Sequence, residues 1–336
     1  MSSETRTRRL DLDRAKGLGI FLVVIGHLAA KTQPQDNLWF TLLQTGLYEF
    51  HMPFFMYLSG YVSYMSGAAR TSRLQWKTLF NRRVTRLLLP FAIFGMVLIV
   101  GKIAAAHFMH VDNAPQSLGQ ALFGMLWDTD KSPAISVWYI AVVFVLTVIT
   151  PPIMWVVGGR TWVLIILAGI LYLLPIPHVM YLDRVARFFI FFSLGGLAAD
   201  WGTRWLKFID RTYLLWLAVL VAFVVIALTW YDSFSDSARL LVCGVASMPA
   251  LHGLVRRSEL SGSATLITLG TMSFVIYLLN TPFIGLVKGA LLKLMPWDGT
   301  NFLVFFFLML AAGLYGPILT KRYVLRRLPP LDRITD

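Results

Sequence analysis

An all-α bundle of membrane-spanning helices is the fold class this chain predicts, on three observations. Of its 336 residues, 57% are hydrophobic and 14% charged, with a mean hydropathy of +0.68, a balance foreign to a water-soluble globule. The apolar residues gather in runs near the ~20-residue length that crosses hydrocarbon. The basic residues gather between alternate runs, as the positive-inside rule requires. About ten spans follow, near 13–32, 45–65, 86–107, 136–157, 161–176, 186–200, 212–231, 238–255, 265–287 and 301–320.

The first apolar run, 17–30, follows Arg6, Arg8, Arg9, Arg14 and Lys16 and carries His27 near its far end. A basic start and a small-residue end imitate a secretory leader, but the histidine and nine later spans predict a retained helix. The second span holds Glu49, His51 and the aromatic-rich stretch to Tyr61. Arg82-Arg83-Val84-Thr85-Arg86 opens the third, which runs apolar over 87–100. A loop at about 110–135 follows, with one amphipathic segment at 118–127. Trp138 and Tyr139 open the fourth. The fifth and sixth, like the first, are short enough to pass as buried core helices if taken alone. After the seventh and eighth, the ninth carries Tyr277, Asn280 and Thr281, and the tenth runs up to Lys321 and Arg322.

A net charge of +13 would suggest a nucleic-acid partner in a soluble protein. Here it sets topology: with a cytoplasmic N-terminus, 22 of the 30 basic residues fall in inner segments. Both termini are then cytoplasmic, and no nucleic-acid partner is implied. The lone Cys243 excludes an internal disulfide and a thiolate metal cluster. Neither a Gly-rich phosphate loop nor a His-Glu-x-x-His motif occurs, and no metal is implied. With no stretch long enough for a soluble domain, 1–336 reads as one membrane domain whose chemistry lies within the bundle or at its faces.

An ionisable side chain in hydrocarbon is costly and marks a functional site by default, and histidine is suited to take and return a proton near neutral pH. Lys16 and His27 are eleven residues apart, about 16 Å and close to three turns, so they share a helix face running from the cytoplasmic rim to the membrane centre. Arg83 and Arg86, three apart, form a guanidinium fork suited to phosphate. With Lys16 on the same side, they can hold a polyanionic cofactor below His27. Glu49 and His51 lie toward the outer face, where Glu49 could orient or charge a histidine. Each has a plainer reading: Lys16 as a snorkelling anchor, the arginines as topology signals, Glu49 and His51 as a wet interfacial pair, Trp138 and Tyr139 as an interface belt.

The combination of Asp13-x-x-Lys16-Gly17 with His27, Phe50-His51-Met52-Pro53-Phe54-Phe55 and Arg83-x-x-Arg86 resembles the acyltransferase-3 family of integral membrane acyltransferases. Ser136-Val137-Trp138-Tyr139, Phe192-Ser193-Leu194-Gly195 and Leu269-Gly270-Thr271-Met272-Ser273 with Ile276-Tyr277-Leu278-Leu279 extend the resemblance over nearly the whole chain. The resemblance implies transfer of an acyl group, usually acetyl from acetyl-coenzyme A, to a hydroxyl of a cell-surface glycan or lipid-linked sugar. It implies His27 as the essential histidine, Lys16 as its basic partner, and Arg83 and Arg86 as the pair that engages the donor's nucleotide. Asn280 departs from the pattern, standing where many relatives carry histidine.

The resulting expectation is a multi-pass protein of a bacterial inner membrane, in contact with lipid and with polysaccharide-biosynthesis partners. Its catalytic residues are His27, Lys16 and Glu49, and Lys16, Arg83 and Arg86 bind the acyl-coenzyme A donor. His51, Trp138, Tyr139 and Asn280 bind the acceptor. Direct attack and an acyl-histidine intermediate both stay open, as do acetyl and succinyl. The alternative function is a proton-coupled transporter or flippase that uses His27 and Glu49 as a relay. A membrane scaffold without catalysis is a third class.

Overall fold

A computed structural model describes residues 9–29, 34–108, 111 and 113–335. Arg6 and Arg8 of the charge pattern, and the end of the first expected span, lie outside these. Fifteen α-helices and several short 3-10 turns make up the described chain, with isolated bridges in place of any sheet. They are α1 (Leu10–Gly26), α2 (Leu38–Tyr48), α3 (His51–Met65), α4 (Arg73–Arg83) and α5 (Leu89–Ala106). Next come α6 (Leu118–Leu126), α7 (Trp138–Val156), α8 (Thr161–Leu173), α9 (Leu182–Trp201) and α10 (Thr203–Thr229). The chain closes with α11 (Asp236–Arg257), α12 (Ala264–Thr271), α13 (Ser273–Leu291), α14 (Phe302–Tyr323) and α15 (Pro329–Ile334).

Six helical stretches among the described residues are long and apolar enough to cross a membrane: Arg73–Ala106, Ile135–Val156, Thr203–Thr229, Asp236–Arg257, Ser273–Leu291 and Phe302–Arg327. The other four expected spans have a different form. The first is α1, whose 17 residues cover about 26 Å, short of a ~30 Å hydrocarbon core. The fifth is α8, only 13 residues long. The sixth, α9, has the length but carries Asp183, Arg184, Arg187 and Asp200.

The expected second span is two helices. Its chain turns at Glu49 and Phe50, because Pro53 has no N–H for the carbonyl of Glu49 and its ring crowds that carbonyl. Helix α3 is therefore re-aimed into the centre of the bundle, buried on nearly every side. It packs backbone to backbone on α9: a Cβ on Gly60 would collide with the Phe192 carbonyl, and one on Gly195 with the Tyr57 carbonyl. Helices α1 and α12 meet in the same reciprocal way, Gly17 against Leu266 and Gly270 against Asp13. Small residues that admit close backbone approach are how helices associate in lipid, where no hydrophobic drive separates helix from solvent. The ninth span breaks as well, into α12 and α13 at Met272.

Between α4 and α5 the chain passes through one π turn, Val84–Leu88, in which the Leu89 N–H donates to the Val84 carbonyl five residues back. Pro90 cannot donate to the Arg86 carbonyl, so the ladder widens just where the arginines sit. Arg83 is consequently the last α-helical residue and Arg86 lies within the wider turn. The expectation of a regular helix face for this pair gives way to a junction.

Candidate functional site

Helix α1 ends inside the bundle at Gly26, and His27 is its C-cap residue. Ending there strands carbonyl groups, which cannot stay unpaired away from water. Gln44 of α2 donates to the Gly26 carbonyl at 2.6 Å and also to that of Ala29, and the Tyr48 hydroxyl donates to Gly26 at 3.1 Å. The end of α1 is thus fixed from one side by α2.

From the other side, α13 fixes the imidazole. His27 Nδ1 lies 2.7 Å from Asn280 Oδ1. The Asn280 amide nitrogen donates to the carbonyls of Ile276 at 2.8 Å and Tyr277 at 2.9 Å. Those two bonds use both amide protons and decide which amide atom faces the ring. The oxygen faces it, so His27 Nδ1–H donates and Nε2 keeps its lone pair. His27 remains partly exposed.

A cleft of about 260 Å³ runs beside α1, with Lys16, Arg83 and Arg86 among its walls; His27 itself is not one of its lining residues. Further along α1 the wall is Val23, seven residues from Lys16 and one turn short of His27, with Met52, Phe55, Tyr139 and Tyr277 around it. Seven residues are about 10 Å of helix, so the cationic and apolar parts of the cleft are well separated. The Tyr139 hydroxyl hydrogen-bonds Ser59 Oγ at 2.6 Å, and the Tyr139 N–H donates to the Tyr277 hydroxyl at 3.2 Å. Lys16, Arg83, Arg86 and Tyr139, inferred separately from the chain, therefore share one cavity, and Asn280 links His27 to its far wall.

A family model for an acyltransferase domain, that of acyltransferase-3, matches residues 9–322. The chain belongs to the acyltransferase-3 family. Nodulation protein NolL of Sinorhizobium fredii (strain NBRC 101917 / NGR234) is 30% identical over 129 residues, 38% of this chain and 34% of that relative. Nodulation protein NolL of Mesorhizobium japonicum (strain LMG 29417 / CECT 9101 / MAFF 303099) is 41% identical over 97 residues, 28% of this chain and 25% of the relative. The chain thus spans about a third and a quarter of the length of these curated relatives. No solved structure matches. Family and apolar helices together make this acyltransferase a multi-pass membrane protein.

Four residues expected at the site of the acyltransferase take other places. Asn280, expected among acceptor-binding residues, has 0% exposure and holds His27 instead. His51 has 1% exposure, and its Nδ1–H donates to the Leu47 carbonyl at 2.6 Å. It is not among the residues that line the cleft and presents almost no surface to an acceptor. Trp138 packs on Phe188 at 4.9 Å between ring centres, with the Arg184 guanidinium 5.0 Å from its own, and does not line the cleft. Glu49, expected to serve a histidine, accepts from Arg239 Nε at 3.2 Å. Arg239 also donates to the carbonyls of Tyr231 and Phe234 and to Asp236. Arg239 is 5% exposed and clamps the turn between α2 and α3 to α11.

A second polar cluster was not legible along the chain. Asp11 of α1 accepts from Arg9 at 2.7 Å and from Arg256 at 2.9 Å, and Arg256 also grips Asp210 through two bonds of 2.8 and 2.9 Å. Beside it the buried Tyr57 hydroxyl joins His252 Nδ1 at 2.7 Å and accepts from Trp205 Nε1 at 2.8 Å. The signal available was opposite charge at one expected membrane face: Asp11 at the start of the first span and Arg256 at the end of the eighth. This cluster anchors one end of α1 as Gln44 and Asn280 anchor the other, so the helix carrying Lys16 and His27 is held at both ends.

Proposed function

We propose that this acyltransferase moves an acetyl or similar short acyl group from acyl-coenzyme A to a hydroxyl of a cell-surface or exported glycan, at a bacterial inner membrane. The observation that carries the reading is the Asn280 amide, which holds His27 with Nε2 as the free base one turn beyond the apolar end of a cation-rimmed cleft. Lys16, Arg83 and Arg86 suit the donor's phosphates, arginine by its paired donors and lysine as a point charge. The apolar stretch around Val23 suits the pantetheine arm and the thioester.

His27 Nε2 takes the proton of the acceptor hydroxyl as its oxygen bonds the thioester carbonyl carbon. The carbon–sulfur bond then breaks, and the thiolate recovers the proton from the imidazolium. A positive ring at a helix C-terminus is favoured by the partial negative charge of that end. Asn280 cannot move protons itself, which leaves His27 to act alone. The proton-relay reading loses support because Glu49 is committed to Arg239. About ten spans with both termini cytoplasmic, the arrangement favoured by the charge pattern, bring the donor from the cytoplasm and the acceptor from outside.

Sealed vesicles of known orientation test this. Radiolabelled acetyl-coenzyme A given only on the cytoplasmic side is expected to label envelope glycan confined to the other side, and His27→Gln is expected to abolish labelling while donor binding persists. Near-normal turnover by His27→Gln would overturn the role of the histidine, and a requirement for both substrates on one face would overturn the cross-membrane route.

A further inference from the structure

Tyr277 lies on α13 one turn before Asn280, about 4.5 Å of helix rise away. Its side chain lines the cleft, yet the residue is only 6% exposed. The hydroxyl oxygen accepts from the Tyr139 N–H at 3.2 Å, which leaves the hydroxyl proton to be given. Among the described residues no acceptor stands at hydrogen-bonding distance to take it. A buried phenol that accepts from an amide and gives to no protein group is a donor awaiting one.

The amide that it accepts from adds to this. Tyr139 is the second residue of α7, so its N–H is one of the groups that a helix leaves unpaired at its N-terminus, where partial positive charge gathers. A hydroxyl that accepts from such a group is polarised and donates more strongly. The Tyr139 ring, its centre 5.4 Å from that of Tyr277, and the Tyr139–Ser59 bond hold the phenol in place.

We infer that Tyr277 is a further catalytic residue, whose hydroxyl donates to the thioester carbonyl oxygen of the donor and stabilises the oxyanion formed on attack. This rests on the acyl-transfer reading and adds to it a named oxyanion donor. Residues three apart on α13 then divide the work: Asn280 sets the base through His27, and Tyr277 steadies the charge that develops one turn away. The Tyr277 proton stays on its own oxygen throughout. The acceptor's proton goes to His27 Nε2 and on to the leaving thiolate, so charge and protons balance without it.

The test uses the full chain in detergent or vesicles, with acetyl-coenzyme A labelled with ¹³C at the carbonyl. In wild type without acceptor, the infrared carbonyl band of bound donor is expected to shift to lower frequency than in water, and in Tyr277→Phe that shift is expected to vanish while donor affinity persists. With acceptor, Tyr277→Phe is expected to lower kcat about 10²- to 10³-fold, the loss typical of one oxyanion donor, with the donor KM little changed. Fluorotyrosines placed at 277 keep the ring and the acceptor oxygen, and they decide the matter if Tyr277→Phe folds poorly. Their kcat is expected to follow phenol acidity. A kcat close to wild type in Tyr277→Phe, an unmoved carbonyl band, or a rate indifferent to fluorination would each overturn the assignment. If wild type neither binds nor consumes acetyl-coenzyme A, the acyl-transfer reading falls and takes this assignment with it. A defect confined to Tyr277 variants leaves that reading standing.

Discussion

Replacing Asn280 by leucine removes the group that sets the His27 tautomer while filling nearly the same space. The side chain makes three hydrogen bonds: one from His27 at 2.7 Å, and two to carbonyls of its own helix at 2.8 and 2.9 Å. The two carbonyls keep their place in the α13 ladder, so the main loss falls on His27, whose Nδ1–H is left without its acceptor. Stranding a buried polar group costs about 1–3 kcal/mol. The imidazole avoids that cost by rotating or by moving its proton to Nε2, and either change removes the base from the acceptor. If the whole cost is charged to the reactive arrangement, kcat falls roughly 5- to 150-fold at ~1.4 kcal/mol per decade. Donor KM is expected to stay near wild type, because Asn280 does not line the cleft. Two assays check this: steady-state transfer from acetyl-coenzyme A, and ¹⁵N shifts of labelled His27, which distinguish a protonated from an unprotonated Nε2. A kcat close to wild type, or unchanged ¹⁵N shifts, would refute the tautomer argument.

Arg83→Lys keeps the inward charge but loses the paired donors of guanidinium; acetyl-coenzyme A affinity is expected to fall about tenfold, the scale of one charge-assisted bond, with membrane orientation unchanged in a cysteine-accessibility assay. Glu49→Gln separates structure from catalysis. If the carboxylate serves only Arg239, thermal stability falls by a fraction of the ~3–5 kcal/mol lost on breaking a buried pair, while kcat of the folded protein persists; a large loss of kcat at unchanged Tm would return Glu49 to the chemistry. Gly60→Ala pushes a methyl group into the Phe192 carbonyl and is expected to cost about 1–3 kcal/mol, as overpacking does. Gly101→Ala in α5, with open space beside it, is the control, and differential scanning in detergent reads both.

Local features of the chain determined much of this protein. Hydropathy runs depend on neighbours in sequence, so the helical class followed from them, and α7, α11 and α14 lie within a few residues of the expected spans. Residue chemistry singled out His27, Lys16, Arg83 and Arg86 as candidates, because ionisable groups at a membrane boundary or inside it stand out from an apolar background. The turn at Pro53 and the π turn at Pro90 have a local cause, a missing N–H that acts within one turn, but the expected spans 45–65 and 86–107 ran across both.

Partnership across the bundle was decided only by tertiary structure. His27 and Asn280 are 253 residues apart, and Glu49 and Arg239 are 190 apart, separations over which no periodicity carries information. Asn280 became an orienting group because α13 packs beside the end of α1 and two of its own carbonyls turn the amide. Glu49 was drawn from the histidines because Arg239, once buried, needs a carboxylate more than the outer face needs a charge. Residue type limits what a side chain can do, and the packing of helices distant in sequence selects which of those things it does.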